Sequence, residues 1–247
     1  MLQLVAMDLD GTLAPFNGAI QPKTIELLNQ LQKEGVKLVI TSGKPASHIS
    51  GLVRQANLQD DVIIMGDNGG IIWFNHEFPP KDPFIMTMTK EAALELEKIR
   101  NAILTKFGEN VWVQPNRCTF SLFSRGIDIE EVFEFCDHLF ETEKIQFLKN
   151  FKTGGALDVI PKTIDKGIGL KYIQEKLNIP IEDTAVIGDG ANDVPMFLRG
   201  KIRITFPQSA KIFVKLVPKV VPDIDRALEF LIGISRFEKS SFLEMLE

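Results

Sequence analysis

Two aspartates follow the first apolar run of the chain. The run Leu4 to Met7 is too short for a helix and leads directly into Asp8-Leu9-Asp10-Gly11-Thr12, which predicts a buried strand that ends in a tight turn. Side chains two positions apart in an extended strand point to the same side, so Asp8 can attack an electrophile while Asp10 moves a proton. The pair indicates covalent carboxylate catalysis, with a plain surface turn as the alternative.

Further polar residues follow other predicted strands. Ser42 comes after the second strand, and Asp189 and Asp193 come after the strand Ala185 to Ile187. Because ligands collect outside the carboxyl ends of strands in an open parallel sheet, we expect four carboxylates to converge there. Like charges in a partly dry site raise one another's pKa, so the cluster predicts a bound cation. An all-oxygen site with room for water and phosphate favours Mg²⁺ over Ca²⁺.

Two segments have residues suited to hold a phosphate. Ser42-Gly43-Lys44-Pro45 lies between a strand and a helix, where a hydroxyl and free N–H groups can bind a phosphate; an ordinary N-cap serine is the alternative. It is not a nucleotide-binding P-loop, because Pro45 stands where that motif has Ser or Thr. Lys166 begins a predicted helix and can neutralise a phosphoryl group, unless it is a solvated lysine.

The elements that position these residues alternate between strand and helix, which predicts a mostly parallel sheet flanked by helices. The predicted core elements are a helix from Pro22 to Gly35, strand Val36 to Ile40, helix Ser47 to Ala56, strand Val62 to Met65, strand Ile71 to Phe74, strand Leu157 to Ile160, helix Lys166 to Leu177, helix Asn192 to Leu198 and helix Asp223 to Ile234. The stretch 202–221 is apolar and basic, and its elements are not assigned.

A second unit interrupts this alternation after Pro79 and Pro80. Its predicted order is strand, helix, strand, strand, helix, strand. The elements are Phe84 to Met88, Lys90 to Phe107, Val111 to Gln114, Thr119 to Ser124, Asp128 to Glu141 and Ile145 to Phe151. The predicted fold class is α/β: a Rossmann-like, mostly parallel sheet core with an inserted smaller α+β domain. The core takes 1–80 and 154–247, and the inserted domain takes 81–153.

Composition limits the classes of partner and location. The 247 residues carry a net charge of -5 with no long run of one sign, so we expect a small-molecule partner rather than nucleic acid or a membrane surface. Cys118 and Cys136 form no C-x-x-C pair and are predicted to be core residues. No stretch approaches the roughly 20 apolar residues that span a bilayer, so a cytoplasmic location is expected. The oligomeric state is left open.

Four segments together resemble the motifs of a known superfamily. Asp8-Leu9-Asp10-Gly11-Thr12, Ser42-Gly43, Lys166 and Gly188-Asp189-Gly190-Ala191-Asn192-Asp193 are similar in order and spacing to the four motifs of the haloacid dehalogenase-like hydrolases. The inserted domain resembles the large α/β cap of the Cof-type branch. Two further segments also resemble that branch: Asn68-Gly69, and Asp158-Val159-Ile160-Pro161 with Lys166-Gly167. Lys44 departs from the pattern, because that branch often has arginine there.

The resemblance implies a magnesium-dependent phosphatase. Asp8 would attack phosphorus, and Asp10 would protonate the leaving oxygen and then activate water against the aspartyl phosphate. The implied phosphate-binding residues are Ser42, Gly43, Lys166 and Asn192. The implied metal ligands are Asp8, Asp10 through its carbonyl, Asp189 and, in support, Asp193. The expected substrate is a small phosphorylated metabolite, either a sugar phosphate or a phosphoglycolate-like acid.

Three other functions use similar residues. A phosphomutase-like transferase would pass the phosphoryl group from the same aspartate to another hydroxyl. A receiver-like signalling protein also has an acidic cluster, a hydroxyl and a lysine, but it has no use for Asp10 or for a cap. A catalytically inactive binding protein is disfavoured because every motif residue is present. In the cap, Arg117, Arg125 and Lys152 are candidate contacts for an anionic substrate.

Overall fold

The computed structural model describes residues 1–58, 61–153 and 155–244, with side chains up to residue 238. Its strands form two sheets. The strands are β1 Leu4–Asp8, β2 Lys37–Thr41, β3 Ile63–Gly66, β4 Ile71–Trp73, β5 Phe84–Ile85, β6 Val111–Val113, β7 Phe120–Ser124, β8 Leu148–Thr153, β9 Ala156–Pro161, β10 Thr184–Ile187, β11 Ile202–Thr205 and β12 Lys219–Val220. The helices are α1 Pro22–Lys33, α2 Ala46–Gln55, α3 Lys90–Phe107, α4 Ile129–Thr142, α5 Lys166–Leu177, α6 Val194–Phe197 and α7 Ile224–Glu244.

The large sheet has the order β12-β11-β10-β1-β2-β3-β4-β5 and is parallel except at β4 and β5. Strand β1 lies inside it, with Met7 opposite Ile187 of β10 and Ile40 of β2. All five residues of β1 are buried, as expected for a strand covered by helices on both faces. The predicted Rossmann-like core is confirmed.

Alternation along β1 decides which face each side chain reaches. Val5 and Met7 join the apolar cluster that includes residues of α1, α2 and α7, whereas Leu4 and Ala6 join the cluster that includes residues of α5 and α6. Because successive side chains of a strand alternate between faces, Asp8 continues the series of Leu4 and Ala6. The strand therefore directs the Asp8 carboxylate toward the side of the sheet that carries α5.

The small sheet is antiparallel, with the order β6-β7-β9-β8, and forms the cap. Apolar residues of α3 and α4 bury its inner face, and Ile99, Ile103, Val132 and Cys136 are each fully covered. Both cysteines are free and buried, as predicted. The smaller α+β unit is thus present with two helices on one sheet.

Two predicted strands lie in the opposite sheet from the one expected. The strand predicted at Phe84 to Met88 for the cap is β5, which pairs with β4 of the core. The strand predicted at Leu157 to Ile160 for the core is β9, which pairs with β7 and β8 of the cap. The cap order is therefore α-β-β-α-β-β. Strands β8 and β9 follow each other in the chain and pair antiparallel, so both lie in the small sheet.

The sheet in which each strand lies supports domain boundaries that differ from the predicted ones. We propose that the cap begins in 86–89 and ends in 162–165, in place of the predicted boundaries at 80/81 and 153/154. The unassigned stretch 202–221 contains β11 and β12 at the far edge of the large sheet. Among the described residues, no helix has the length and apolar character needed to cross a membrane.

Candidate active site

The predicted site residues meet at the carboxyl ends of the parallel strands. A cavity of about 570 Å³ lies between core and cap, and its lining includes residues that follow β1, β2 and β10. Lining residues from the predicted set are Asp8, Asp10, Ser42, Gly43, Asp189 and Asn192. Lys166 and Asp193 lie directly behind Asp8. The structure thus brings together all eight residues chosen from the sequence.

Lys166 is a fully buried cation held between two carboxylates. Its ammonium donates to Asp193 Oδ1 at 2.6 Å and to Asp8 Oδ1 at a shorter distance. Asp165 caps helix α5 by accepting the Ile168 N–H at 2.8 Å, which fixes Lys166 in the first turn of the helix. Burial without these carboxylates would be costly for an ammonium, so the solvated-lysine alternative is wrong.

Three carboxylates form a group that fits a hard cation. Oxygens of Asp8, Asp189 and Asp193 lie within 4.8 Å of one another. Asp189 accepts the Thr12 hydroxyl at 2.6 Å, and the second oxygen of Asp193 accepts the N–H groups of Asp189 and Gly190 at 3.0 Å each. Carboxylates held this close suit a small divalent ion with oxygen ligands. The side chain of Asp10 is not in this group.

Burial changes the ionisation of the group. Burial raises the pKa of Asp8 to about 8; the charges of Asp193 and Asp189 add to the rise, while Lys166 opposes it. Burial also raises the pKa of Asp189, against the bond from Thr12. For Lys166, burial lowers the pKa, but Asp193 and Asp8 outweigh it and raise the pKa overall. The carboxylates exceed the single ammonium in charge, and a bound cation would restore the balance.

Asp10 faces a different partner. Lys44 forms an ion pair with Asp10 Oδ2, and the Ser42 hydroxyl lies 3.4 Å from the same oxygen. The Lys44 ammonium is also 5.3 Å from the ring centre of Phe16 at the cavity wall. Lys44 was noted in the sequence only as a departure from the family pattern, and the geometry makes it a neighbour of the candidate acid and base.

A buried polar chain crosses from cap to core beside the cavity. Asp158 Oδ1 accepts the Ser121 hydroxyl and, at 3.4 Å, the Asn68 amide, and Asn68 Oδ1 accepts the Asn192 amide at 3.2 Å. Burial raises the pKa of Asp158 to about 6, against the bond from Ser121, the charge of Lys166 and the bond from Asn68. Ser121 was not predicted as a site residue, because it lies in an apolar strand with no motif around it.

The cap supplies the remaining wall. Cap and flanking residues that line the cavity are Gln114, Ser121, Phe123, Lys152, Thr153, Ala156 and Asp158. Of the three basic candidates, Lys152 lines the cavity and pairs with Glu130. Arg117 and Arg125 are not among the lining residues. Lys152 is therefore the cap cation best placed to meet a substrate.

Comparison with known proteins agrees with this architecture. A family model described as sucrose-6F-phosphate phosphohydrolase matches residues 1–214. A phosphoglycolate phosphatase from Methanopyrus kandleri is 29% identical over 91% of this chain and 92% of its own length. One from Thermoplasma acidophilum is 27% identical, over 90% and 92%. A haloacid dehalogenase-like hydrolase from Bacteroides thetaiotaomicron superposes with a TM-score of 0.77 at 18% identity, covering 95% of this chain and 100% of that one.

A Rossmann-like core, an inserted cap and an acidic cleft between them define a haloacid dehalogenase-like hydrolase. The chain belongs to the sucrose-6F-phosphate phosphohydrolase family of that superfamily, and it is a phosphatase that acts on small phosphate esters.

Proposed function

We propose that the protein hydrolyses a small phosphate monoester with Mg²⁺ through a phosphorylated Asp8. The observation that carries the proposal is that Asp8 lines the cavity, contacts the Lys166 ammonium and lies within 4.8 Å of carboxylate oxygens of Asp189 and Asp193. A nucleophilic carboxylate with a cationic partner beside it and an open cavity in front of it meets the needs of in-line phosphoryl transfer.

Different residues carry out different parts of the first step, which is the formation of the aspartyl phosphate. Lys166 and Ser42, with backbone N–H groups near Gly43, hold the phosphoryl oxygens and neutralise their charge. Asp8 forms a bond to phosphorus while the ester bond breaks, and Asp10 gives its proton to the departing oxygen. When bound by Asp8, Asp189 and the carbonyl of Asp10, Mg²⁺ would offset the negative charge on the transferring group.

The second step returns the enzyme to its starting state. Asp10, now ionised, takes a proton from a water molecule, and that water attacks phosphorus and breaks the bond to Asp8. Inorganic phosphate leaves, and both aspartates regain their initial forms. Lys44 forms an ion pair with Asp10 Oδ2 in the structure, and we propose that it keeps the carboxylate turned toward the leaving oxygen.

The substrate is proposed to be a sugar phosphate or a phosphoglycolate-like acid. The cavity of about 570 Å³ lies in the size range of small-molecule sites and has both aromatic and polar walls. Phe16 and Phe123, whose ring centres are 6.2 Å apart, suit the apolar face of a sugar, whereas Lys152 suits a carboxylate. We further propose a cytoplasmic location, which cell fractionation would test.

The test is phosphate release from a panel of small esters, with Mg²⁺ or with EDTA, comparing the native protein with Asp8→Asn. We expect turnover of at least one ester that requires Mg²⁺ and is lost in Asp8→Asn, while the melting temperature of the variant shows that it is folded. Turnover retained without Asp8 would contradict the mechanism. Phosphate appearing only on an added acceptor alcohol would instead identify a phosphotransferase.

A further inference from the structure

We infer that two cap residues, Gln114 and Asn116, are positioning residues for the phosphoryl-binding loop 42–44 of the core. The inference rests on the proposed function, because it takes that loop as the place where the phosphoryl group binds. It extends the function by making phosphate binding depend on a contact from the cap.

Both side chains hold one carbonyl group. Gln114 Nε2 donates to the Gly43 carbonyl at 3.0 Å, and Asn116 Nδ2 donates to the same oxygen at 2.7 Å. Gln114 Nε2 also donates to Asn116 Oδ1 at 2.7 Å, which orients the second amide. A carbonyl oxygen has two lone pairs, so the two amides saturate it and fix its direction.

The N–H of the same peptide group, which belongs to Lys44, is held within the phosphoryl-binding loop. The Lys44 N–H donates to Ser42 Oγ at 3.0 Å. Because the peptide group is planar, fixing the Gly43 carbonyl also fixes the direction of the Lys44 N–H, and with it the Ser42 hydroxyl oxygen that accepts it. The Ser42 hydroxyl accepts that N–H and donates its proton to Asp10 Oδ2 at 3.4 Å, a long bond that a bound phosphoryl oxygen would replace.

Asp67 anchors the cap segment that carries these amides. Its Oδ2 accepts the N–H groups of Arg117 and Cys118 at 2.7 and 2.8 Å, and its Oδ1 accepts Asn116 Nδ2 at 3.1 Å. The Asp67 side chain is fully buried, and its own N–H donates to the Lys44 carbonyl at 2.9 Å. The segment 114–118 is therefore tied to the core on both sides of the loop.

Gly43 has no side chain that could fix the loop from within. A Cβ at this position would meet the Asn68 amide at 3.1 Å, a tight approach that favours glycine. The orientation of the peptide therefore depends on its hydrogen bonds. Loss of a cap amide should weaken the binding of the phosphoryl group whatever leaving group is attached, whereas a residue that contacts the leaving group would affect some esters only.

The experiment measures the affinity for inorganic phosphate by calorimetry in the presence of Mg²⁺, together with KM for the hydrolysed esters. For Asn116→Ala we expect the Kd for phosphate to rise about threefold to tenfold, the range for one lost neutral hydrogen bond. The KM of every ester should rise by the same factor. Asn150→Ala is the matched control, since among the described residues its side-chain amide donates to Asp137 and Cys136 of the cap, and it should leave both quantities unchanged.

Gln114→Ala provides a second test on the same carbonyl and should shift phosphate affinity in the same direction. Melting temperatures of all three variants separate an unfolded protein from a misplaced loop. The inference is overturned if phosphate affinity equals that of the native protein in both site variants, or if KM rises for particular esters only. A native protein that neither binds phosphate nor hydrolyses any ester would instead overturn the proposed function.

Discussion

Lys166 provides the positive charge at the centre of the site. Its ammonium has no exposed surface and contacts Asp8 and Asp193, while Asp189 completes the acidic group nearby. Taking a charge out of water is compensated only by partners of opposite sign at close range, so each member of this cluster depends on the others. The arrangement ties the chemistry of the site to the stability of the fold.

Removing that lysine should destabilise the protein in a magnesium-dependent way. For Lys166→Ala we expect the free energy of unfolding to fall by about 3 kcal/mol without metal, because two buried carboxylates lose their counter-ion. Millimolar Mg²⁺ should reduce the loss, since a cation among the carboxylates replaces part of the missing charge. Urea denaturation with and without Mg²⁺ measures both quantities.

The control for this variant is Lys171→Ala on the same helix. Lys171 is exposed and pairs with Glu175 at 3.6 Å, so its removal should cost less than about 1 kcal/mol. Equal losses in the two variants would contradict the proposed role of Lys166 as the buried counter-ion.

The start of helix α5 depends on close packing against its neighbours. A Cβ at Gly167 would lie 2.4 Å from the carbonyl oxygen of Pro195, whereas a Cβ at Gly51 in helix α2 would meet no atom within 4 Å. Both glycines are in helices, so they differ mainly in the space around them. Gly167 is required by the close approach of α5 to the first turn of α6, whereas no neighbour requires a glycine at position 51.

The two glycines give opposite predictions for the same substitution. Gly51→Ala should raise the free energy of unfolding by up to about 1 kcal/mol, the gain in helix propensity. Gly167→Ala should lower it by about 1–3 kcal/mol through overpacking, and should lower kcat/KM because Lys166 is displaced. Urea denaturation and the ester assay test the pair, and a stabilised Gly167→Ala would show that the contact is not tight.

The elements themselves were largely predictable, but their partners were not. Alternation of apolar strands and amphipathic helices predicted α3 and α5 with their observed bounds, because such periodicity is local. Strands β5 and β9 were assigned to the wrong sheet, since pairing depends on residues distant in sequence. In the site, the motif aspartates were predicted from their place after strands, and Lys166 from its place at the start of a helix. Ser121 and Asn116 come from cap segments whose local pattern carries no chemical signal.

Core and cap together bury the carboxylate of Asp158, whose pKa of about 6 lies in the pH range of denaturation experiments. Asp158 lies on cap strand β9 and receives bonds from Ser121 of the cap and Asn68 of the core. Among the side chains that shift the pKa of Asp158, Lys166 is the charged one. Its burial is a property of the assembled molecule, because neither unit alone would surround it.

Replacing this carboxylate should change how stability depends on pH. The pKa of Asp158 is about 6 in the folded protein, above its ordinary value of 3.8, so the folded state binds the proton more tightly and native stability falls as pH rises between these values. The difference in unfolding free energy between Asp158→Asn and the native protein should therefore grow from pH 4 to pH 7, by roughly 3 kcal/mol at most.

Denaturation curves across that range measure the difference directly. Asp137→Asn, at an exposed position of the cap, serves as the control for the loss of one carboxylate. A difference for Asp158→Asn that stays constant would mean that the carboxylate is solvated.

The two passages between core and cap restrict how the halves can move. Each is four residues long, 86–89 after β5 and 162–165 after β9, and both touch one turn of the core. The Met86 N–H donates to the Gly70 carbonyl at 2.8 Å, and a Cβ at Gly69 would lie 2.4 Å from the Asp165 carbonyl oxygen. Because both short passages lie against the same turn, we expect any opening of the cap to pivot near Gly69 and Gly70. Lys166 directly follows the second passage, so it should keep its place in the core when the cap moves.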